Sequence, residues 1–234
     1  MGKFCNKKMI WVHIERTGGG TFNHSVIQKI YKRNQLKLTN KDEFHICNSL
    51  MFNTPTKFFG VTKNSKPKDF EKFNLIGGHM RASKYLFLKR PYITWLRDPI
   101  NRTISNYYAW KKVAVDDALK PETKKPGKTN REILVLLKDG LDVVEFSKIF
   151  KNYMSYLINI DLENFKFIGI TENYDKDLIK FGKIFDVTIP KHRPKFHVIK
   201  YPETSKDIRK KIASNMKQDY ELYNKILRDK SGRF

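Results

Sequence analysis

The sequence predicts an α/β protein: a mostly parallel, doubly wound sheet flanked by helices. Short apolar, β-rich runs alternate with stretches of helical period, the order that calls for crossover connections and a parallel sheet. The first run breaks into Gly18-Gly19-Gly20 and resumes with helical character, a strand, loop and helix in succession. At 234 residues the chain is long enough for one large α/β domain and short for two, so residues 1–234 are expected to form a single domain.

Residues 9–27 organise the rest. Ile10, Trp11, Val12 and Ile14 read as a strand buried on both faces, with His13 inside it. Gly18, Gly19 and Gly20 lack the Cβ atoms that would hold a ligand away from backbone N–H groups. Thr21 is expected to cap a helix over 22–32, whose unpaired N–H groups and dipole suit an anion. Arg16 at the mouth of the loop, with Thr17 and Thr21 on either side of the glycines, adds a cation and two hydroxyls, which favours phosphate or sulfate binding over a plain turn. The nucleoside-triphosphatase pattern G-x-x-x-x-G-K-[ST] is not met, because Thr21 follows the last glycine where the lysine belongs.

Residues 57–61 read as a short strand and 63–69 as an exposed loop. Residues 73–79 read as a strand ending in two glycines and His79, at the sheet edge where α/β proteins collect ligands. Residues 92–96 form a central strand that runs through Arg97 into a helix opened by Pro99, with Arg102 and Ser105 or Asn106 on one face and Ile100 and Ile104 on another. Residues 113–129, punctuated by Pro121, Pro126 and Gly127, read as a surface loop or lid. Helices follow over 131–138 and 141–150, and 152–157 either continues the second or begins a third. A strand over 165–170 leads through Thr171-Glu172 to a helix over 174–185 with Leu178, Phe181 and Phe185 on one side. Residues 187–204 form a positively charged, proline-rich loop. The last helix, 205–227, carries Ile208, Ile212, Met216, Tyr220, Tyr223 and Leu227 as an apolar stripe.

Forty-seven Lys and Arg against 24 Asp and Glu give a net charge of +23, which directs the chain toward anionic partners. None of the usual nucleic-acid motifs is present, so no nucleic acid is expected. Two cysteines, Cys5 and Cys47, are no disulfide framework and suit a reducing, cytoplasmic compartment. The apolar stretch 9–14 is too short for a signal core or a membrane anchor.

Four segments, taken in order, resemble the PAPS-dependent sulfotransferases, in particular the carbohydrate branch that includes heparan sulfate 2-O-sulfotransferase. His13-Ile-Glu-Arg-Thr-Gly-Gly-Gly-Thr-Phe22 resembles that branch's H-I-P-K-T-G-G-T-S-F, and Arg97-Asp-Pro-Ile-Asn-Arg-Thr-Ile-Ser-Asn-Tyr-Tyr108 its R-D-P-x-x-R-x-x-S-x-Y-Y. Gly77-Gly78-His79 resembles its G-H segment, and Phe167-Ile-Gly-Ile-Thr-Glu172 its strand ending in T-E. The resemblance implies transfer of a sulfuryl group from 3′-phosphoadenosine-5′-phosphosulfate (PAPS) to a hydroxyl acceptor, a glycan or other carbohydrate, anionic ones included, without a metal. It implies a P-loop-like phosphosulfate loop in which Arg16, Thr17, Gly18, Gly19, Gly20, Thr21 and Phe22 hold the 5′-phosphosulfate, while Arg97 and Ser105 hold the 3′-phosphate at a second, separate anion site. His79 is the expected general base, and Arg16 the residue that stabilises charge on the leaving phosphate. Tyr107 and Tyr108 are expected in support, Asp98 and Arg102 as a structural ion pair, and Arg193 and Lys195 as a cover over the cofactor.

The chain departs from the pattern at Arg16, where the branch carries lysine, and at Glu15, where it carries proline. A guanidinium stays protonated, so Arg16 can stabilise charge but not donate a proton. Two other readings compete: a P-loop-type kinase, which would need a lysine after the glycines and acidic Mg²⁺ ligands, and a non-enzymatic polyanion binder resting on net charge alone.

Overall fold

Four apolar runs make the sheet: β1 (Met9–Val12), β2 (Leu75–Gly78), β3 (Tyr92–Leu96) and β4 (Phe165–Ile170). They lie in the order β2-β1-β3-β4, and every pair is parallel. The computed structural model describes residues 8–27, 67–70, 75–119, 128–191 and 201–229. The strand expected over 57–61, Pro121 and Pro126, the late-loop residues His192, Arg193, Lys195 and His197, and Cys5, His45 and Cys47 lie outside the described residues.

Alternation along the strands sorts side chains into two cores. Ile10, Val12, Ile76, Tyr92, Leu96, Ile168 and Ile170 face one way, and Met9, Trp11, Ile93, Trp95 and Phe167 the other. The second face is covered by α1 (Gly19–Phe22), continued by a π-turn over Asn23–Ile27, and by α6 (Tyr174–Phe185). The first is covered by α2 (Pro99–Leu119), α3 (Lys128–Lys138), α4 (Val143–Ile149), α5 (Tyr153–Leu157) and α8 (Lys217–Asp229). A small third core joins α7 (Lys206–Ser214) to the start of α2 through Ile100, Ile104, Ile212 and Met216. Helices thus lie on both faces of an all-parallel sheet.

Several boundaries differ from the expectation. α1 begins at Gly19, and its capping position is Gly18 in a left-handed conformation (φ 85°), so Thr21 lies in the first turn instead of capping it. β1 ends at Val12, which places His13 just past the strand and half-buried. α2 runs on to Leu119 through residues expected to be loop, because Trp110 and Ala114 prolong its buried stripe and no proline comes before 121. Asn152, left-handed at φ 52°, separates α4 from α5, so 152–157 begins a third helix. The C-terminal helix is two. α7 stops at Ser214, and Asn152 Oδ1 accepts from the backbone N–H of Gln218 (3.0 Å) in the first turn of α8, while Asp219 returns the favour by accepting from Met154 and Ser155 N–H at 3.2 and 2.7 Å. The restart changes the phase: Ile226 is buried and Leu227 exposed.

Two phenols fasten α8 to the ends of β3 and β4. Tyr220 OH donates to Asp98 Oδ2 (3.3 Å), and Tyr223 OH donates to Glu172 Oε2 (3.0 Å). Burial, followed by the charge of Asp98 and the bond to it, pushes Tyr220 up to about 12, and burial with Glu172 pushes Tyr223 up as well. A phenol raised in the folded state contributes stability that is fully present below its unfolded value, about 10, and lost as pH climbs through the folded one. Denaturant unfolding over about pH 9–12 should therefore show a fall in stability that Tyr220→Phe makes shallower, although the variant starts about 0.5–1.5 kcal/mol lower for want of the hydrogen bond. Identical slopes in the two proteins would remove Tyr220 from this linkage.

Candidate active site

The strand order creates a crevice. From β1 the chain passes to β2 on one side, and then crosses to β3 on the other, so the carboxyl ends of β1 and β3 flank the point where the winding reverses. The loop after β1 and Arg97 after β3 meet there. Arg16 takes a left-handed conformation (φ 66°), uncommon without glycine. Its Nε donates to Ser105 Oγ (3.0 Å) on α2, and Arg97 Nη1 donates to the Arg16 carbonyl (3.2 Å). Burial first, and then the Arg97 charge, lower the Arg16 pKa, against the opposing pull of Glu15 and Tyr201. Two crowded, partly desolvated guanidiniums make an electropositive crevice in which an anion relieves the repulsion.

Neighbouring strand ends hold this arrangement. The Thr171 hydroxyl lies between the carbonyls of Leu96 (2.7 Å) and Thr17 (2.9 Å), to either of which it donates. Glu172 Oε1 accepts from Asp98 N–H (3.0 Å), and Asp98 Oδ1 accepts from Asn101 N–H (2.8 Å), which makes Asp98 the cap of α2. The Tyr174 ring lies under Gly18, so close that a Cβ there would overlap it, and the left-handed backbone of Gly18 separately demands glycine.

His79 follows β2 on the other side of β1. Its Nδ1 lies 2.8 Å from the His13 carbonyl; since a carbonyl only accepts, Nδ1 carries the proton and Nε2 of the neutral ring is the basic nitrogen. The ring stacks on His13 (4.5 Å between centroids), which stacks in turn on Trp11 (4.7 Å). Nε2 is 3.9 Å from Glu15 Oε1.

No protein-family model and no curated protein matches the chain. The site is therefore read from its own residues. Among the described residues, no group of three or more His, Cys, Asp and Glu side chains could hold a metal ion, and no helix is long and apolar enough to cross a membrane.

Arg16, Arg97 and Ser105 come together as a group, and Gly18, Gly19 and Gly20 form the adjoining turn. Arg16 and Ser105, expected on two separate groups, are therefore bonded to each other. Two residues assigned to the loop's contacts turn their side chains elsewhere. The Thr17 hydroxyl is fully buried and donates to the Ile14 carbonyl (2.7 Å), which commits it to the loop. Phe22 is fully buried among Trp11, Trp95 and Phe181, and its N–H donates to the Gly18 carbonyl. Its turn of α1 faces the sheet, so it supports the loop without facing the crevice. The Asp98–Arg102 ion pair is also absent: Asp98 is spent on Asn101 and Tyr220, and the buried Arg102 guanidinium sits over the Tyr153 ring (5.0 Å) with no hydrogen bond among the described residues. Tyr107 and Tyr108 do support: the first donates to the Leu141 carbonyl (3.0 Å), and the second stacks on Tyr201. Sequence reasoning passed over the parts played by His13, Thr171, Glu172 and Tyr174. Only the position of Thr171-Glu172 at a strand's carboxyl end hinted at one.

A Cβ on Gly19 would collide with the His13 ring. Gly19→Ala should move that ring, disturb the His13–His79 stack and cost about 1–3 kcal/mol. Thermal unfolding with the imidazole NMR signals of His79 checks this; an unshifted His79 in a fully stable variant would contradict it.

Proposed function

We propose that this protein is a sulfotransferase moving a sulfuryl group from PAPS to a hydroxyl of a carbohydrate acceptor by in-line attack, with residues 13–22 as a P-loop-like phosphosulfate loop. The observation that carries the reading is the meeting of Arg16, Arg97 and Ser105 at the reversal point of a parallel sheet, with the basic nitrogen of His79 at the next strand end. The donor set suits a nucleotide phosphorylated at both ends. Arg97 spends one N–H on the Arg16 carbonyl and keeps a planar fork of donors for phosphate oxygens, while Gly18, Gly19 and Gly20 let an anion approach the backbone.

The bound donor supplies an activated sulfuryl group on a phosphate leaving group. Arg16, held by Ser105 at Nε, stabilises negative charge as it grows on the leaving side. It donates no proton, and none is required, because a phosphate with a second pKa of about 6 departs as the dianion near neutrality. His79 Nε2 accepts the proton of the attacking hydroxyl, and the Nδ1 bond to the His13 carbonyl fixes the tautomer for that task.

Calorimetry tests the reading with 3′-phosphoadenosine 5′-phosphate, with and without Mg²⁺, and with ATP. The bisphosphate should bind without metal and more tightly than ATP. Arg97→Ala should weaken it by about 1.5–3 kcal/mol, while His79→Ala leaves affinity unchanged and lowers single-turnover transfer by about 10²–10⁴-fold. Equal binding of ATP, or binding only with Mg²⁺, would favour a kinase. Indifference to both nucleotides, with strongly salt-dependent binding of polyanions, would favour the non-enzymatic reading.

A further inference from the structure

Glu15 is an acid in a loop otherwise suited to an anion, and its position beside His79 suggests a second task. The residue is 8% exposed, and neither carboxylate oxygen has a hydrogen-bond partner among the described residues. Oε1 lies 3.9 Å from His79 Nε2. With the Nδ1 proton given to the His13 carbonyl, Nε2 of the neutral ring is an acceptor as well. In the neutral form that a general base requires, two acceptors therefore face one another in a partly buried setting, where unmatched lone pairs are costly. The pair suits a ligand that donates twice.

We propose that Glu15 and His79 together receive a vicinal diol of the acceptor, His79 taking the hydroxyl that attacks and Glu15 the hydroxyl on the neighbouring carbon. This deepens the sulfotransferase reading and rests on it. A lone hydroxyl has one hydrogen and satisfies one acceptor. A primary ammonium has enough hydrogens, but Arg16 and Arg102 are within electrostatic reach of Glu15, and that neighbourhood disfavours another cation. A neutral diol meets both needs: gauche hydroxyls on adjacent carbons present two O–H groups that can reach acceptors 3.9 Å apart at hydrogen-bond distances of about 2.7 Å. Arg102, fully buried and without a hydrogen bond among the described residues, answers the Asp219 charge first and that of Glu15 after it, so Glu15 has a distant countercharge that leaves both its carboxylate oxygens to the ligand. Glu15 takes no proton in the reaction; the proton of the attacking hydroxyl goes to Nε2. Its effect is to select an acceptor and to decide which of its hydroxyls is modified.

The test uses the full chain with ¹⁵N-labelled histidine, the His79 signals being assigned with His79→Ala. Methyl pyranosides are titrated in beside monodeoxy counterparts that lack one of two adjacent hydroxyls, and transfer from PAPS is measured on the same set. The diol compounds should shift the His79 Nε2 resonance, and they should be preferred in kcat/KM by about tenfold or more, since a site that hydrogen-bonds a hydroxyl rejects the analogue without it. Glu15→Gln keeps the shape, exchanges an acceptor for a donor, and should cut the preference to about threefold or less. The proposal is overturned if wild-type protein treats diol and deoxy compounds alike, if folded Glu15→Gln keeps the full preference, or if simple amines displace diols. The wild-type ligand series stands even if the variant does not fold. Absence of bisphosphate binding and transfer, with the diol-specific His79 shift retained, would sink the transferase reading and uphold the diol site. Transfer without diol preference would do the reverse.

Discussion

A parallel sheet ends all its strands on one edge, and that constraint governs everything at the crevice. In the order β2-β1-β3-β4 the winding reverses between β1 and β3, so the residues following those strands face each other at the switch point. The fold then fixes this edge with side chains from a third strand. Thr171, at the end of β4, sets its hydroxyl between the carbonyls of Leu96 and Thr17 and donates to one or the other, and Glu172 holds the Asp98 N–H on one oxygen and the Tyr223 phenol on the other. A left-handed residue other than glycine costs roughly 1–2 kcal/mol, and Arg16 adopts that conformation because its carbonyl and its guanidinium are both bound from across the crevice.

The electrostatics follow from the same geometry. Fixing the Arg16 carbonyl with Arg97 brings two cations close, and fixing the Arg16 side chain on Ser105 partly buries one of them. Such an arrangement is stabilised by an anion in a way that a solvated lysine surface is not, which separates this crevice from the general excess of positive charge on the chain. His79 follows β2, on the other side of β1 from Arg97, and Glu15, the residue before Arg16, lies beside its ring. The imidazole and Arg97 therefore occupy different strand ends, with Arg16 on the loop between them.

Much of the fold was legible because its signals were local. The strands at 92–96 and 165–170 and the helix at 174–185 match the boundaries read from apolar runs and from the Leu178, Phe181, Phe185 stripe. The features that escaped depend on partners distant in sequence. The break between α7 and α8 exists because Asn152 and Asp219 cap each other's helices, and neither residue signals that alone. Thr17 and Phe22 stood beside the glycines in sequence, yet the turn points one hydroxyl back at Ile14 and the ring into the core between Trp11 and Trp95. Arg102 and Asp98 had the right spacing for an ion pair, but Asp98 was claimed by the helix N-terminus and by Tyr220. Motif adjacency placed Arg16, Arg97, Ser105 and His79 near one edge of the sheet; only three-dimensional packing distinguished side chains turned to the crevice from those turned into the fold.

The central claim is that the β1–β3 crevice receives a nucleotide through phosphates at both its 3′ and 5′ positions. Phosphorus-31 NMR of 3′-phosphoadenosine 5′-phosphate titrated with the protein, in the absence of metal, tests it most directly, because each phosphate reports separately. The account predicts that both resonances move on binding, and that Arg97→Ala diminishes the shifts by weakening the complex. Resonances that stay at their free positions at saturating protein, or a shift confined to one phosphate, would contradict it.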